Sequence, residues 1–454
     1  MPTAQVSYRL SCKQYNGTAP DIPVPPARSA PGKRPEGARS APDWYPAGPA
    51  SGRDRKIVVS ADVAYFDAAS GEPTIPAARA AMLGAVEDGW ADPARLHREG
   101  RRAGLLLDQA RERIATLLGC RPDEVTFATS GTTAVHLGVL GAVLARQSAT
   151  RGPGRIVVSA VEHSSVLNAA AQAERAGSTV TIVPVGREGR ADPGTFAAAV
   201  RAGPAVLACL QTASHEVGTV QPTAEVAAGC ERAGVPLLAD AAASAGRMDI
   251  PAGWSILTAS AHKWGGPAGV GVLAIRRNVR WRSPLPSDGR EAGRSPGFPN
   301  LPAIIGSAAA LAAWEADRQV TDDSLRRLTA RIRDRVPALV PDCVVHGDPD
   351  GRLPHIVALS CLYIDGESLV IELDKAGFSV SSGSACASET GQPSHVLAAM
   401  GAITHGSIRV SLPRGTTAGQ VDEFLTVLPP IVARLRATAG IGGTIPAQGT
   451  DPRA

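Results

Sequence analysis

The chain has 454 residues, and its 44% apolar content is ordinary for a globular protein. This length allows about two to three domains. The formal net charge of +4 does not indicate nucleic-acid binding, because residues 1–56 alone hold nine Lys or Arg and four Asp or Glu. The rest of the chain carries about −1, so we expect no basic face on the folded part. No run of about 18 apolar residues occurs, and we expect no membrane span.

Residues 1–60 are predicted to be a disordered, basic, Pro- and Gly-rich extension, or the product of a start placed too far upstream. They contain no sustained hydrophobic period and cannot bury enough apolar surface to offset the entropy of ordering. Their Arg-rich, acid-poor composition weakly resembles a transit peptide, but they lack the apolar core of a secretory signal. Residues 439–454 are predicted to be a flexible tail.

Between residues 61 and 302, short apolar or β-branched runs alternate with Ala-rich helical segments, such as 105–118 and 223–233. This alternation is typical of βαβ units and predicts an α/β fold, with a mostly parallel sheet covered on both faces. The predicted strands are 125–128, 156–159, 180–183, 205–209, 236–239, 256–259 and 270–274.

A Pro- and Gly-rich stretch, 283–302, precedes a second predicted domain over residues 303–438. Its pattern indicates a smaller C-terminal α/β domain with two strands and four helices. The predicted strands are 356–363 and 408–412, and the predicted helices are 305–317, 325–340, 367–375 and 418–435.

The seven cysteines include one in an unusual setting. Cys386 lies in a run of small polar residues, where a thiol has no core to fill, so its reactivity becomes a candidate function. Cys209 and Cys361 lie in apolar runs and are predicted core residues. No pair has the C-x-x-C spacing, which argues against a zinc knuckle or a thioredoxin-type site. The odd number in a long chain favours a reducing compartment, and we expect a cytoplasmic protein with no metal site.

Several residues capable of chemistry follow predicted strands, at the edge where open α/β sheets bind ligands. They are Thr129–Thr133, Glu162-His163, His215-Glu216, Asp240 and Ser260–Lys263. Simpler explanations exist: a helix cap for the Thr-rich turn and Asp240, a core or capping position for His163 and His215, and a surface ammonium for Lys263. Arg409 is harder to explain in that way, because a guanidinium in an apolar strand is costly unless it meets an anion.

Together these residues suit pyridoxal phosphate (PLP), which needs a lysine, an aspartate, a phosphate cradle and an arginine for a carboxylate. Residues from about 63 to 435 resemble the class V aminotransferases of PLP fold type I, and specifically the cysteine desulfurase family. The matching motifs are Tyr65–Ala69, Ser130–Thr133, Glu162-His163, His215–Gly218, Ala239–Ala241, Ser260–Lys263, Ser381–Cys386 and Ser407–Arg409.

The resemblance implies a role for each residue. Lys263 holds PLP and moves protons, Asp240 pairs with the ring nitrogen, and His163 stacks on the ring and relays protons. Arg409 binds the substrate carboxylate. Cys386 takes sulfur from L-cysteine, leaving L-alanine and a persulfide for an acceptor protein or small molecule. The phosphate ligands would be Thr132, Thr133, Ser260 and His262.

Three positions depart from the family pattern. His215 stands where the family usually has Asn, and Ala243 where it usually has Gln, both near the PLP hydroxyl. Phe298 stands where a Thr usually reaches the phosphate of a neighbouring subunit. We expect His215 to supply the missing donor, and cofactor affinity or the dimer contact to differ. The family also implies a homodimer.

Two other functions are compatible with the same residues. A different class V enzyme, such as an aminotransferase or a selenocysteine or carbon–sulfur lyase, would not need Cys386. A scaffold with a decayed site would account for His215, Ala243 and Phe298. The sequence does not identify the sulfur acceptor. Iron–sulfur assembly, tRNA thiolation and small-molecule synthesis each use a different acceptor.

Overall fold

The structure, a computed structural model, describes residues 63–150, 154–382 and 393–440, all within one compact unit. The whole extension predicted for residues 1–60, residues 441–454 of the predicted tail and Cys386 lie outside these ranges. The strands are β1 (Ala64–Tyr65), β2 (Val125–Ala128), β3 (Arg155–Ser159), β4 (Thr179–Val183), β5 (Ala205–Gln211), β6 (Leu237–Asp240), β7 (Ile256–Ser260), β8 (Gly271–Ile275), β9 (Cys343–His346), β10 (Ile356–Cys361), β11 (Phe378–Ser379), β12 (Ser381–Ser382) and β13 (Ser407–Ser411). The α-helices are α1 (Pro76–Asp88), α2 (Arg98–Leu117), α3 (Gly131–Thr150), α4 (Ser164–Arg175), α5 (Pro193–Arg201), α6 (Thr223–Arg232), α7 (Leu301–Leu339), α8 (Gly366–Lys375), α9 (His395–Ala399) and α10 (Ala418–Thr438).

A seven-stranded sheet in the order β2-β8-β7-β6-β5-β3-β4 forms the centre of the larger part. All neighbouring pairs are parallel except those of β8, which runs antiparallel to both β2 and β7. Most of these strands are buried along their whole length, which is why they are near-continuous apolar runs in the sequence. The predicted α/β fold with a mostly parallel seven-stranded sheet is confirmed.

Alternate residues of the central strands pack against helices on opposite faces of the sheet. Ile156 and Val158 join a cluster with α3 and α4, whereas Val157 joins one with α5 and α6. Successive side chains of a strand point to opposite faces, so one apolar run fills two cores. The carboxyl ends of the parallel strands are thereby held at one edge of the sheet.

A four-stranded antiparallel sheet, β12-β13-β10-β9, forms the smaller part with α8 and α10. Near the start of the described chain, β1 pairs in parallel with β11. Phe66 packs there against Phe378 and Phe424, with ring centroids 5.8 and 5.9 Å apart. The segment just before α1 therefore connects the two parts of the molecule.

Helix α7 differs from the sequence prediction, which placed two helices at 305–317 and 325–340. It is one helix of 39 residues. Its first half contributes Leu301 and Trp314 to the core of the large sheet, and its second half contributes Leu325 and Ile332 to that of the small sheet. The hydrophobic period lapses between them because the bridging turns face solvent, as the 76% exposure of Val320 indicates. The predicted domain division at 302/303 falls in the first turn of α7 and remains a prediction.

Among the described helices, none combines the length and apolar character needed to cross a lipid bilayer.

Candidate active site

A cavity of about 290 Å³ lies at the carboxyl edge of the large sheet, against the small sheet. It is where the loops after β3, β5, β6 and β7 meet, as expected for an open α/β sheet. The cavity is lined by eight of the predicted site residues: Thr132, His163, His215, Asp240, Ser260, His262, Lys263 and Arg409. Thr133 is not among the lining residues, and Cys386 lies outside the described ranges.

Asp240 ends β6 as a buried carboxylate with one oxygen engaged. Its Oδ1 accepts hydrogen bonds from the Ala242 backbone N–H at 3.0 Å and the Thr258 hydroxyl at 3.1 Å. Among the described residues, no group donates to Oδ2. Burial raises the pKa of Asp240, while the two donors and the Lys263 ammonium act in the opposite direction. The second oxygen is therefore available to a cationic or N–H group of a ligand.

Lys263 lies in a short 3₁₀ turn after β7, Ala261–Trp264. Buried contacts of the neighbouring residues Trp264 and Gly265 hold this turn in place. The fully buried Trp264 donates its indole N–H to the Ser307 carbonyl at 3.1 Å. Gly265 ends the turn with φ of 75°, a conformation that favours glycine, and a Cβ there would come within 2.7 Å of Ile75. This packing fixes the backbone from which the lysine amine reaches the cavity.

The turn before α3 is a candidate anion cradle. The Ser130 hydroxyl accepts the Thr133 N–H at 3.0 Å and so caps the helix, and the Thr133 hydroxyl contacts those of Thr129 and Ser130. The capping explanation thus holds for Ser130, while Thr132 lines the cavity. Gly131 lies against Ser260, where a Cβ would come 2.7 Å from the Ser260 Cβ. The N-terminus of α3 and the hydroxyl of Thr132, which lines the cavity, are groups that suit a phosphate.

Two histidines form one wall of the cavity. Their rings, His163 and His215, lie edge to face with centroids 4.9 Å apart. The Nδ1 of His163 accepts the Ser165 N–H at 3.1 Å and caps α4, so the neutral ring carries its proton on Nε2. Burial, with Lys263, His395 and Arg409 adding repulsion, lowers the pKa of His163 to about 3. Its ring is therefore neutral at physiological pH.

His215 is also neutral, since burial and the nearby His163 imidazole hold its pKa well below the usual value. Its Nδ1 is buried without a hydrogen-bond partner in the described part of the chain. An unsatisfied buried nitrogen is costly, so a ligand with a complementary polar group would stabilise this site. Ala243 lines the same cavity with a methyl group only.

Arg409 lies in the middle of β13 and is 4% exposed. Its guanidinium donates to the Asp67 carboxylate at 2.8 Å, the Ser70 hydroxyl at 2.6 Å and the His215 carbonyl at 3.0 Å. The anion that sequence reasoning required is thus supplied in part by Asp67, two residues after β1. The Nε of Arg409 has no hydrogen-bond partner among the described residues, so the guanidinium keeps capacity for an incoming carboxylate.

The described residues on either side of 383–392 both reach the site. Ser381 in β12 pairs directly with Arg409, and Ser382 pairs with Ile408. On the other side, Ser394 and His395 line the cavity. Ser381 thus lies next to Arg409, and Ser394 and His395 line the same cavity as Arg409.

The sequence did not predict the contacts that hold Ser394 and His395 in place. The Ser394 hydroxyl caps α9 and donates to the buried Glu216 carboxylate. His395 Nε2 donates to the Glu162 carbonyl at 2.9 Å. Burial raises the pKa of Glu216 to about 7 and that of Glu162 to about 8. A Ser before a short apolar run, such as Ser394, is a capping signal that the sequence offers. Its contact with Glu216, 178 residues away, has no signal in the local sequence.

Phe298, the third departure from the family pattern, does not line the cavity and is 59% exposed. Its ring lies under the Arg290 guanidinium, 5.3 Å from the ring centroid. The described structure gives Phe298 a surface position.

Similar proteins identify the family of this chain. The profile of the family "Aminotransferase class-V" matches residues 64–424. A cysteine desulfurase of Trichormus azollae is 36% identical over 383 residues, covering 83% of this chain and 94% of that protein. Cysteine desulfurase IscS 1 of Archaeoglobus fulgidus is 35% identical, covering 82% and 98%. A solved structure described as a NifS-like protein superposes with a TM-score of 0.75 at 26% identity, covering 82% of this chain and 100% of that one. The chain therefore belongs to the class V aminotransferase family, and within it to the cysteine desulfurases.

Proposed function

We propose that this protein is a PLP-dependent enzyme that converts L-cysteine to L-alanine and retains the sulfur as a persulfide on Cys386. The observation that carries the proposal is the convergence of Asp240, Lys263 and Arg409 on one cavity. These residues come from β6, the turn after β7 and β13, and a packing role alone would not require all three to meet there.

The chemistry of the lining residues fits PLP. The free oxygen of Asp240 suits a protonated ring nitrogen, and the α3 cradle with Thr132, Ser260 and His262 suits the phosphate. His215 lines the same cavity, and its unpartnered Nδ1 suits the hydroxyl of the PLP ring. PLP, when bound, supplies an electron sink for the carbon atoms of an amino-acid substrate.

The remaining chemistry belongs to the side chains. Arg409 binds the α-carboxylate of cysteine through its guanidinium and orients the substrate. The Lys263 amine holds the cofactor and transfers protons at the substrate carbons. His163, neutral because of its lowered pKa, covers the ring and relays protons without keeping a positive charge.

Cys386 is proposed as the sulfur acceptor because its segment begins and ends beside the cavity, at Ser382 and Pro393. The thiolate forms a bond to the substrate sulfur as the carbon–sulfur bond breaks, and a proton goes to the carbon that becomes the alanine methyl group. The persulfide is consumed when an acceptor thiol or a reductant removes the outer sulfur. Acceptors in iron–sulfur assembly, tRNA thiolation and small-molecule synthesis all fit this chemistry.

The proposal extends to the assembly and the compartment. The family implies a homodimer, and the odd number of cysteines in a long chain favours the cytoplasm as a reducing compartment. Phe298, at the position where the family usually has a Thr, would place an exposed aromatic ring at the partner contact. A size-exclusion measurement of the holoenzyme tests the oligomeric state.

Incubation with L-cysteine and a reductant tests the function, with alanine and sulfide measured together. Equal amounts of the two products are expected, and Cys386→Ala should abolish both. Cys120→Ala is the matched control, because Cys120 does not line the cavity. Product formation that survives Cys386→Ala would indicate a lyase or an aminotransferase. Absence of both products, with cofactor absorbance that Lys263→Ala does not change, would indicate a decayed site.

A further inference from the structure

We propose that Cys343 and Cys361 form an oxidisable pair that peroxide converts to a disulfide across the small sheet. The two residues are direct cross-strand partners on β9 and β10. Their sulfur atoms lie 3.1 Å apart, closer than ordinary packing of two thiols requires. The desulfurase reaction uses neither residue, and both lie outside the cavity lining.

The register of the pair is the one that suits a disulfide. The Leu362 N–H donates to the Asp342 carbonyl at 2.9 Å, so the neighbouring pair is the hydrogen-bonded one. The Cys361 N–H instead donates away from β9, to the Gly406 carbonyl at 2.9 Å. Cys343 and Cys361 are therefore a non-hydrogen-bonded pair, for which Cα atoms lie about 4.5 Å apart. Disulfides span Cα distances of about 4.4–6.8 Å, so little backbone movement is needed.

The electrostatic surroundings favour Cys361 as the attacking thiolate. Arg436 donates to the carbonyls of both flanking residues, at 3.0 Å to Leu362 and 3.4 Å to Asp342. The hydrogen bond with Cys343 and the Arg436 charge lower the pKa of Cys361. The thiolate is the nucleophilic form of cysteine. In contrast, burial raises the pKa of Cys230 to about 12.

The low exposure of the two thiols restricts their oxidation to small oxidants. Cys343 lies on the edge strand β9 and is 8% exposed, whereas Cys361 is fully buried. A peroxide can enter where a bulky disulfide reagent cannot. The Cys361 thiolate attacks one peroxide oxygen, which gives a sulfenic acid and releases hydroxide. The Cys343 thiol then attacks that sulfur, which forms the S–S bond and releases water. Two thiols are oxidised, and one peroxide is reduced.

Mass spectrometry of the full-length protein tests the pair. The protein is treated with hydrogen peroxide, alkylated in denaturant and digested with trypsin without reduction. Cleavage after Arg335, Arg352 and Lys375 places each cysteine alone in its own peptide, 336–352 and 353–375. The two peptides are expected as one disulfide-linked species that a thiol reductant separates. Because the crosslinked residues are 18 positions apart, the oxidised protein should also melt at a higher temperature.

The variant Cys343→Ser provides a second test of the pair. Its matched control is Cys230→Ser, which changes a buried cysteine elsewhere in the chain. In Cys343→Ser, peroxide should leave Cys361 as a sulfenic acid, which dimedone traps once the protein is unfolded in denaturant. Cys230→Ser should give the linked peptides as the wild type does. Alkylated 336–352 and 353–375 peptides from peroxide-treated wild type, with no linked species, would overturn the proposal and leave the pair as packing residues. This result is independent of the desulfurase assay.

Discussion

The buried carboxylate of Glu216 accepts a hydrogen bond from the hydroxyl of Ser394, the second described residue after the segment that contains Cys386. Glu216 directly follows His215 in the loop after β5, and Ser394 caps α9. The same contact thus joins the cavity wall to the end of the Cys386 segment. Its loss should affect the sulfur-transfer step more than substrate binding.

Ser394→Ala should lower kcat about tenfold and leave KM for cysteine nearly unchanged, because the cap and the Glu216 contact are both removed. The loss of the cap alone should cost about 0.5–2 kcal/mol of unfolding free energy. Thr417→Ala is the matched control: it removes the cap of α10, away from the cavity, and should reduce stability without reducing kcat. Equal kcat values for the two variants would contradict the positioning role.

Arg409→Lys should raise KM for cysteine by about 10- to 100-fold, because an ammonium cannot reproduce the planar guanidinium geometry. It would also lose part of the set of bonds to Asp67, Ser70 and His215. Arg414→Lys is the control, since Arg414 contacts Asp317 and does not line the cavity. Steady-state kinetics of both variants measure the difference, and an unchanged KM in Arg409→Lys would exclude carboxylate binding by this residue.

Gly131→Ala should weaken PLP binding, because the new Cβ would lie 2.7 Å from the Ser260 Cβ and force the cradle apart. Dialysis followed by cofactor absorbance titration measures the affinity. Gly84→Ala in α1 is the control: it has open space and should be neutral or slightly stabilising. Retention of wild-type PLP affinity in Gly131→Ala would place the phosphate elsewhere.

Glu162 should make the protein less stable as pH rises. Its pKa is raised to about 8 by burial, so the folded state binds a proton that the unfolded chain has released at neutral pH. The stabilisation is complete below the ordinary carboxyl pKa of about 4.3 and declines until the pH passes the folded value. Glu162→Gln should flatten this decline in urea unfolding between pH 5 and 8.5. The exposed Glu174→Gln on α4 should leave it unchanged, and an equally steep decline in Glu162→Gln would assign it to another group.

The strands of the large sheet were predictable from the sequence because each is a local apolar run bounded by polar residues. Six predicted strand ends agree with the structure to within one residue, from Ala128 in β2 to Ala274 in β8, and β5 continues two residues further, to Gln211. The position of Asp240 and Lys263 just past such ends placed them at one edge of the sheet, since parallel strands share their carboxyl edge. The α/β class, the family and the candidate site thus followed from local patterns.

Only the tertiary structure decided which distant residues meet. Arg409 and Asp67 are 342 positions apart, and Glu216 and Ser394 are 178 apart; no local pattern encodes such a pairing. The continuity of α7 also depended on tertiary structure, because its polar middle turns are helical only as a bridge between two cores. Local sequence determines which segments are buried and what chemistry they carry. The lateral order of strands and the partners of buried polar groups arise from packing between segments far apart in the chain.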